Sequence, residues 1–310
     1  MKKMTLTGSW QFRQAGTDAW LPATVPGGVH TDLLALGKIP DPFVADNELK
    51  VMWVAETDWE YRRAFTADAA LLAEPNISLV CDGLDTIADV YLNGAYLGHA
   101  ENMFRQWEWE VKNLLRAGEN ELRIYFGSPV RFIAARQAQL PLQGGGDIPG
   151  GPHLRKAPCH WGWDWGPKLP PIGVWKDIRL EGFSERFNEV RLRQSLENGV
   201  ATLSADIHAD EKIDGELKVA MTVVSPTGER FAAETELLGD FGAPDDDDEY
   251  SAGLDDFLND GQDFGGFAVI SIQIPNPQLW WPNGYGPERV EGQPLYEVEI
   301  SLKDGETVLD

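Results

Sequence analysis

Short runs in which apolar and polar residues alternate dominate this chain. A two-residue period marks a strand with one face on a core and the other in water. Such runs occupy residues 59–65, 77–81, 87–92, 121–126 and 175–180. A second series follows at 188–192, 201–207, 217–224, 267–274 and 295–302. Between Asp89-Val90-Tyr91-Leu92 and Ala95-Tyr96-Leu97 stands Asn93-Gly94. This pair suits a type I′ hairpin turn, which needs positive φ at both central residues. Ser225-Pro226-Thr227-Gly228 marks another turn. Helical patterns are few: one short helix is expected within 28–37 and another over 130–140, after Pro129. The pattern predicts an all-β chain made of two sandwiches.

The two series meet near Gly182-Phe183-Ser184, so the first unit is expected to span residues 1–183 and the second 184–303. The first unit is rich in loops. Its longest covers 139–173 and holds Gln143-Gly144-Gly145-Gly146-Asp147 and Pro149-Gly150-Gly151-Pro152. Irregular loops of this length tend to be functional or disordered.

Near the end of that loop stands Trp161-Gly162-Trp163-Asp164-Trp165-Gly166-Pro167. Indole faces pack against the apolar C–H face of a pyranose, and a carboxylate accepts hydrogen bonds from neighbouring hydroxyls. Glycines allow a sharp turn and the proline fixes the exit. The same residues could form a strand, with 161, 163 and 165 sharing one buried face. Asp164 would then stand alone on the other face beside strand-weakening glycines. A shaped loop is therefore the expectation.

Charge narrows the partners. Fifty acidic residues against 26 Lys and Arg give a net charge of −24, which argues against nucleic acid and anionic membrane surfaces. Ten of those acids fall within 240–266, where no Lys or Arg occurs. A calcium loop would need twelve-residue spacing with an internal glycine and a terminal glutamate. That pattern is absent, and a solvated, mobile insertion is expected. Two cysteines cannot build a disulfide framework, and Cys81, closing an apolar run, reads as a small buried hydrophobe. His30 and His160 lack metal-ligand spacing, so no metal is expected, and each reads as a hydrogen-bonded structural group. No phosphate loop, dinucleotide fingerprint or nucleophile motif occurs, so no cofactor is expected. The first residues lack the apolar stretch of a signal peptide and no run approaches ~20 apolar residues. The cytoplasm is the expected compartment.

Several motifs taken together resemble one family. They are Val25-Pro26-Gly27-Gly28-Val29-His30-Thr31-Asp32-Leu33, Trp53-Val54-Ala55-Glu56-Thr57-Asp58-Trp59-Glu60-Tyr61, and Gly83-Leu84-Asp85-Thr86 with Val90-Tyr91-Leu92-Asn93-Gly94. Arg155-Lys156 precedes the tryptophan motif, and Leu279-Trp280-Trp281-Pro282-Asn283-Gly284-Tyr285-Gly286 precedes Gln293-Pro294-Leu295-Tyr296. Their order resembles the N-terminal half of a β-mannosidase of glycoside hydrolase family 2, over nearly the whole chain apart from the acidic insertion.

The resemblance implies a jelly-roll, sugar-binding-like sandwich followed by an immunoglobulin-like sandwich. Residues 304–310 would begin the linker to a (β/α)₈ barrel that this sequence lacks. It implies a retaining enzyme that removes terminal β-D-mannose from non-reducing ends, with both catalytic glutamates on the barrel. Retention requires two carboxylates ~5 Å apart, and no pair here is assigned that task. Asp164 is expected to accept hydrogen bonds from sugar hydroxyls, with Trp163 as its aromatic neighbour. Arg155 and Lys156 are expected to anchor the loop. Trp280 and Trp281 are expected to pack in a core or between domains. The partners implied are a β-mannoside or manno-oligosaccharide substrate and the chain's own barrel. A stand-alone lectin-like module with a spacer sandwich is the alternative reading.

Overall fold

The computed structural model describes residues 1–209, 217–239, 266–285 and 293–310. Almost all of the acidic segment 240–266 therefore lies outside the described residues. The chain divides into two compact units, Lys2–Gly182 and Phe183–Asp310.

The first unit is a jelly-roll β-sandwich. One sheet sets β1 (Lys2–Thr5), β14 (Ile178–Phe183), β5 (Asn76–Cys81) and β9 (Trp107–Glu110) side by side. The other carries six strands in the order β3 (Leu21–Val25), β2 (Gly8–Gln14), β4 (Trp59–Thr66), β10 (Glu119–Phe126), β7 (Ala88–Leu92) and β8 (Ala95–Ala100). The alternation along β10 sends Asn120, Leu122, Ile124 and Phe126 inward. Phe12, Tyr61, Ile124 and Val90 fall in register across four strands. There Tyr61 meets Phe126 edge-on at 5.8 Å and Phe12 at 5.6 Å, geometries that suit ring quadrupoles. Cys81 is fully buried in this core, as expected.

The Asn93-Gly94 turn joins β7 to β8, with φ +53 and +86. Asn93 also donates to Leu114 O and Asn120 Oδ1 and accepts from the Glu121 amide. One residue thus satisfies both the turn and a buried amide.

Both expected helices form. The first, α1 (Val29–Ala35), is pinned to the sandwich where Asp32 accepts from Tyr61 Oη and from the Thr24 amide. Two short helices follow, α2 (Asn47–Val51) and α3 (Ala69–Leu72). The last, α4 (Pro129–Gln139), has Pro129 in its first turn and Ser128 as N-cap, accepting from the Arg131 amide at 3.1 Å. The strand expected at 175–180 is broken. Val174 ends the short β13 (Gly173–Val174), and pairing resumes only at Ile178. Between them the Trp175 indole turns aside to donate to Met103 O.

The second unit is an immunoglobulin-like sandwich. One sheet is ordered β15 (Phe187–Glu197), β16 (Val200–Ala209), β20 (Gly266–Pro275) and β19 (Leu238–Gly239). The other is ordered β18 (Arg230–Glu236), β17 (Leu217–Val224), β21 (Glu297–Asp304) and β22 (Thr307–Val308). Residues 304–310, expected to begin a linker, instead close this sheet: Asp304 pairs with Thr307, Lys303 with Val308, and Leu309 packs against the core. Val219, Met221 and Val223 from β17 and Ile270, Ile272 and Ile274 from β20 fill its core. Trp280 and Trp281 are not in that core. They are 49% and 42% exposed and line an apolar groove of about 860 Å³ with Leu279, Leu295 and Tyr296.

Candidate functional site

The loop 139–173 is organised around a miniature core of its own. Trp161, wholly buried, packs with Ile87, Ile133 and Leu154. At the loop's entrance the Gln137 side-chain amide donates to Leu142 O and accepts from the Leu142 amide, closing the chain back on α4. The glycine run then supplies close approaches. A Cβ on Gly146 would stand 2.7 Å from Trp161 Cβ, and one on Gly151 would stand 2.7 Å from Trp161 Cδ1. Amides of Asp147 and Ile148 donate to Trp161 O at 3.1 Å. The loop is therefore not irregular throughout, because Trp161 gives it enough apolar surface to fold upon.

From that anchor a small hairpin projects. Its strands are β11 (Trp161–Trp163) and β12 (Gly166–Lys168), with Trp161 opposite Lys168 and Trp163 opposite Gly166. Asp164 and Trp165 form the two-residue turn. Lys168 also donates its amide to Glu48 Oε2 at 2.9 Å, tying the return strand to α2. The motif is thus neither a loop without strands nor a strand with three core tryptophans. Trp161 is 0% exposed, Trp163 49% and Trp165 72%. Asp164 is exposed, and no hydrogen bond or ion pair engages it among the described residues. The tip thus offers two indoles and a carboxylate committed to nothing in its own loop, which is the chemistry that holds a sugar ring and its hydroxyls.

Below the hairpin sits a group of buried polar side chains. Lys156 Nζ donates to Asp85 Oδ1 at 2.5 Å, Pro171 O at 2.8 Å and Thr86 Oγ1 at 3.4 Å. Burial lowers the pKa of this ammonium, and the adjoining Asp85 carboxylate opposes the fall. Burial, then the nearby Lys156 charge, lowers His30 to about 4. The same two causes lower His160 to about 4, with Asp85 opposing. The described residues supply neither ring with the hydrogen bond expected of it. Both ring nitrogens of His30 and the Nδ1 of His160 are buried without a partner among the described residues, as is the Trp161 indole nitrogen. Arg155 is exposed and holds the loop through its backbone, accepting from the Met103 amide at 3.0 Å. Sequence reasoning missed the Lys156–Asp85 pair and the Glu48 tie. The pair had one signal: both residues stand in the quoted family motifs, two acid–base partners 71 residues apart.

Among the described residues no group of three His, Cys, Asp or Glu side chains could hold a metal ion, and no helix is long and apolar enough to cross a membrane.

Two family models match the chain, a glycosyl hydrolase 2 galactose-binding domain-like model over residues 10–176 and one for glycosyl hydrolases family 2 over residues 186–310. The chain belongs to glycoside hydrolase family 2. Within this family it is 33% identical to a β-mannosidase B of Emericella nidulans over 97% of its length, covering 33% of that protein. It is also 33% identical to a β-mannosidase B of Aspergillus terreus over 99% of its length, covering 34% of that protein. The chain thus spans about a third of the length of the curated relatives it matches. The crystal structure of a β-D-mannosidase from Dictyoglomus thermophilum superposes with a TM-score of 0.81 at 32% identity, covering all of this chain and 35% of the other. An exo-chitosanase from Amycolatopsis orientalis shares the fold at 15% identity and a TM-score of 0.61.

Proposed function

We propose that this family 2 chain forms the non-catalytic part of a retaining β-mannosidase that removes terminal β-D-mannose from non-reducing ends. Residues 1–183 supply the jelly roll and 184–310 the immunoglobulin-like sandwich with its acidic insertion, while the catalytic glutamates belong to a (β/α)₈ barrel domain. Asp164 accepts hydrogen bonds from mannose hydroxyls, and Trp163 packs beside the ring. The observation that carries this reading is the hairpin tip. Asp164 stands exposed and uncommitted between Trp163 and Trp165, in a chain similar to β-mannosidases along nearly its whole length.

Hydrogen bonds to a charged acceptor contribute about 1.5–3 kcal/mol each. In the full-length enzyme, Asp164→Ala is expected to lower kcat/KM about 10- to 1000-fold at an unchanged melting temperature. Near-wild-type kcat/KM with an unchanged melting temperature would overturn the assignment. The 310-residue chain alone is expected to release no aglycone from an aryl β-mannoside. Turnover abolished by replacing a carboxylate within it would refute the division of labour.

A further inference from the structure

We propose that the buried Lys156–Asp85 pair is a positioning device for the substrate contact made by Asp164, an inference that rests on the function proposed above. The Lys156 side chain is wholly buried and that of Asp85 nearly so. An ammonium has three donors, and the oxygens within reach are three: Asp85 Oδ1, Thr86 Oγ1 and Pro171 O. The first two belong to the sandwich, where β6 (Leu84–Asp85) pairs with β13 through Asp85 and Gly173. The third lies fifteen residues beyond Lys156, at the exit of the segment that carries the hairpin. A single buried charge therefore ties the entrance and the exit of that segment to one point on the sandwich.

Stability alone does not account for such a group. A buried ion pair costs desolvation that its attraction hardly offsets, and an apolar pair of similar volume is often as stable. An apolar side chain could not hold the Pro171 carbonyl, so what the ammonium adds is a fixed geometry. The surrounding titratable groups leave that geometry undisturbed. His30 and His160 are held neutral near pH 7, their pKa values lowered to about 4, and so they do not compete with Lys156 for Asp85. Cys159 is a further titratable neighbour, and its charged form favours the charged lysine. Misplacing a substrate contact by about 1 Å costs on the order of 100-fold in rate, so fixing the base of the hairpin bears directly on its tip.

The test is a set of double-mutant cycles in the full-length enzyme, assayed for kcat and KM on an aryl β-mannoside with melting temperatures alongside. Asp85→Asn and the pair Lys156→Met/Asp85→Asn are each made alone and in the Asp164→Ala background. The Met/Asn pair removes both charges and is expected to keep most of the melting temperature while kcat/KM falls at least tenfold. In the Asp164→Ala background the same changes are expected to lower kcat/KM by less than twofold, because the contact they position is already gone. Should the Met/Asn pair fail to fold, the isosteric Asp85→Asn carries the test, with a fall of at least threefold that again disappears beside Asp164→Ala. Wild-type kcat/KM in a folded variant, or losses that simply multiply with that of Asp164→Ala, would overturn the positioning role. If Asp164→Ala is itself silent, the substrate contact is wrong and the positioning role falls with it. That outcome is distinct from multiplying losses, which leave the contact standing.

Discussion

Trp161 and Trp163 stand two residues apart on one short strand, and one is wholly buried while the other is half exposed. Residues at i and i+2 share a face in a regular sheet. Here the strand is not regular: Trp161 has φ −84 and ψ 4 and Gly162 φ +87, so the pleat is broken between the two indoles and one packs while the other meets solvent. Trp161→Ala is expected to lower stability by about 3–5 kcal/mol, the cost of emptying a large buried site. Trp163→Ala is expected to change stability by less than about 0.5 kcal/mol while weakening turnover of a β-mannoside. Chemical denaturation of both variants beside steady-state kinetics checks the contrast. Equal losses of stability would show that both indoles serve packing.

Gly162 separates those two tryptophans with φ +87, and a Cβ there would stand 2.5 Å from Lys168 Cγ across the hairpin. Gly162→Ala combines left-handed backbone strain of about 1–2 kcal/mol with a clash near the root of the Lys168 side chain. A loss of about 2 kcal/mol or more is expected, and amide exchange in residues 161–168 should quicken more than in β10. A neutral substitution would mean that the hairpin relaxes freely.

Acid should weaken the first unit through its buried histidines. His30 and His160 titrate near 4 in the folded chain, against an ordinary value of 6.5. Between those values the unfolded chain binds more protons, so stability is fully present above about pH 6.5 and falls as pH drops toward 4. The difference at His30 is worth on the order of 3 kcal/mol, and that at the less buried His160 is smaller. Melting temperature followed from pH 7 to pH 4 should fall more steeply in the wild type than in His30→Gln. Identical slopes would remove His30 from the account.

The ends of the acidic segment are neighbours. Leu238 pairs with Phe267 and Gly239 with Gly266 in one antiparallel ladder. Replacing residues 240–265 by Asn-Gly would close that ladder with a two-residue hairpin. Shortening the connection recovers loop-closure entropy of up to about 2 kcal/mol, so stability should hold or rise. A lowered urea midpoint would show that the segment makes stabilising contacts.

Much of this architecture could be read from the chain. Alternation placed β10 and β17, Asn93-Gly94 specified its own turn, and Pro129 opened a helix, because each depends on residues close in sequence. The motif at 161–167 likewise named Asp164 and Trp163 as the chemistry to watch. Tertiary structure decided the rest. Whether a tryptophan is core or surface depends on what the rest of the chain brings against it, so Trp161 is enclosed by Gly146 and Gly151 while Trp280 and Trp281 lie open. The Lys156–Asp85 pair is likewise invisible to any local rule. A buried charge is tolerated only where partners converge on it, and those partners come from residues 85, 86 and 171, which only the folded sandwich brings together.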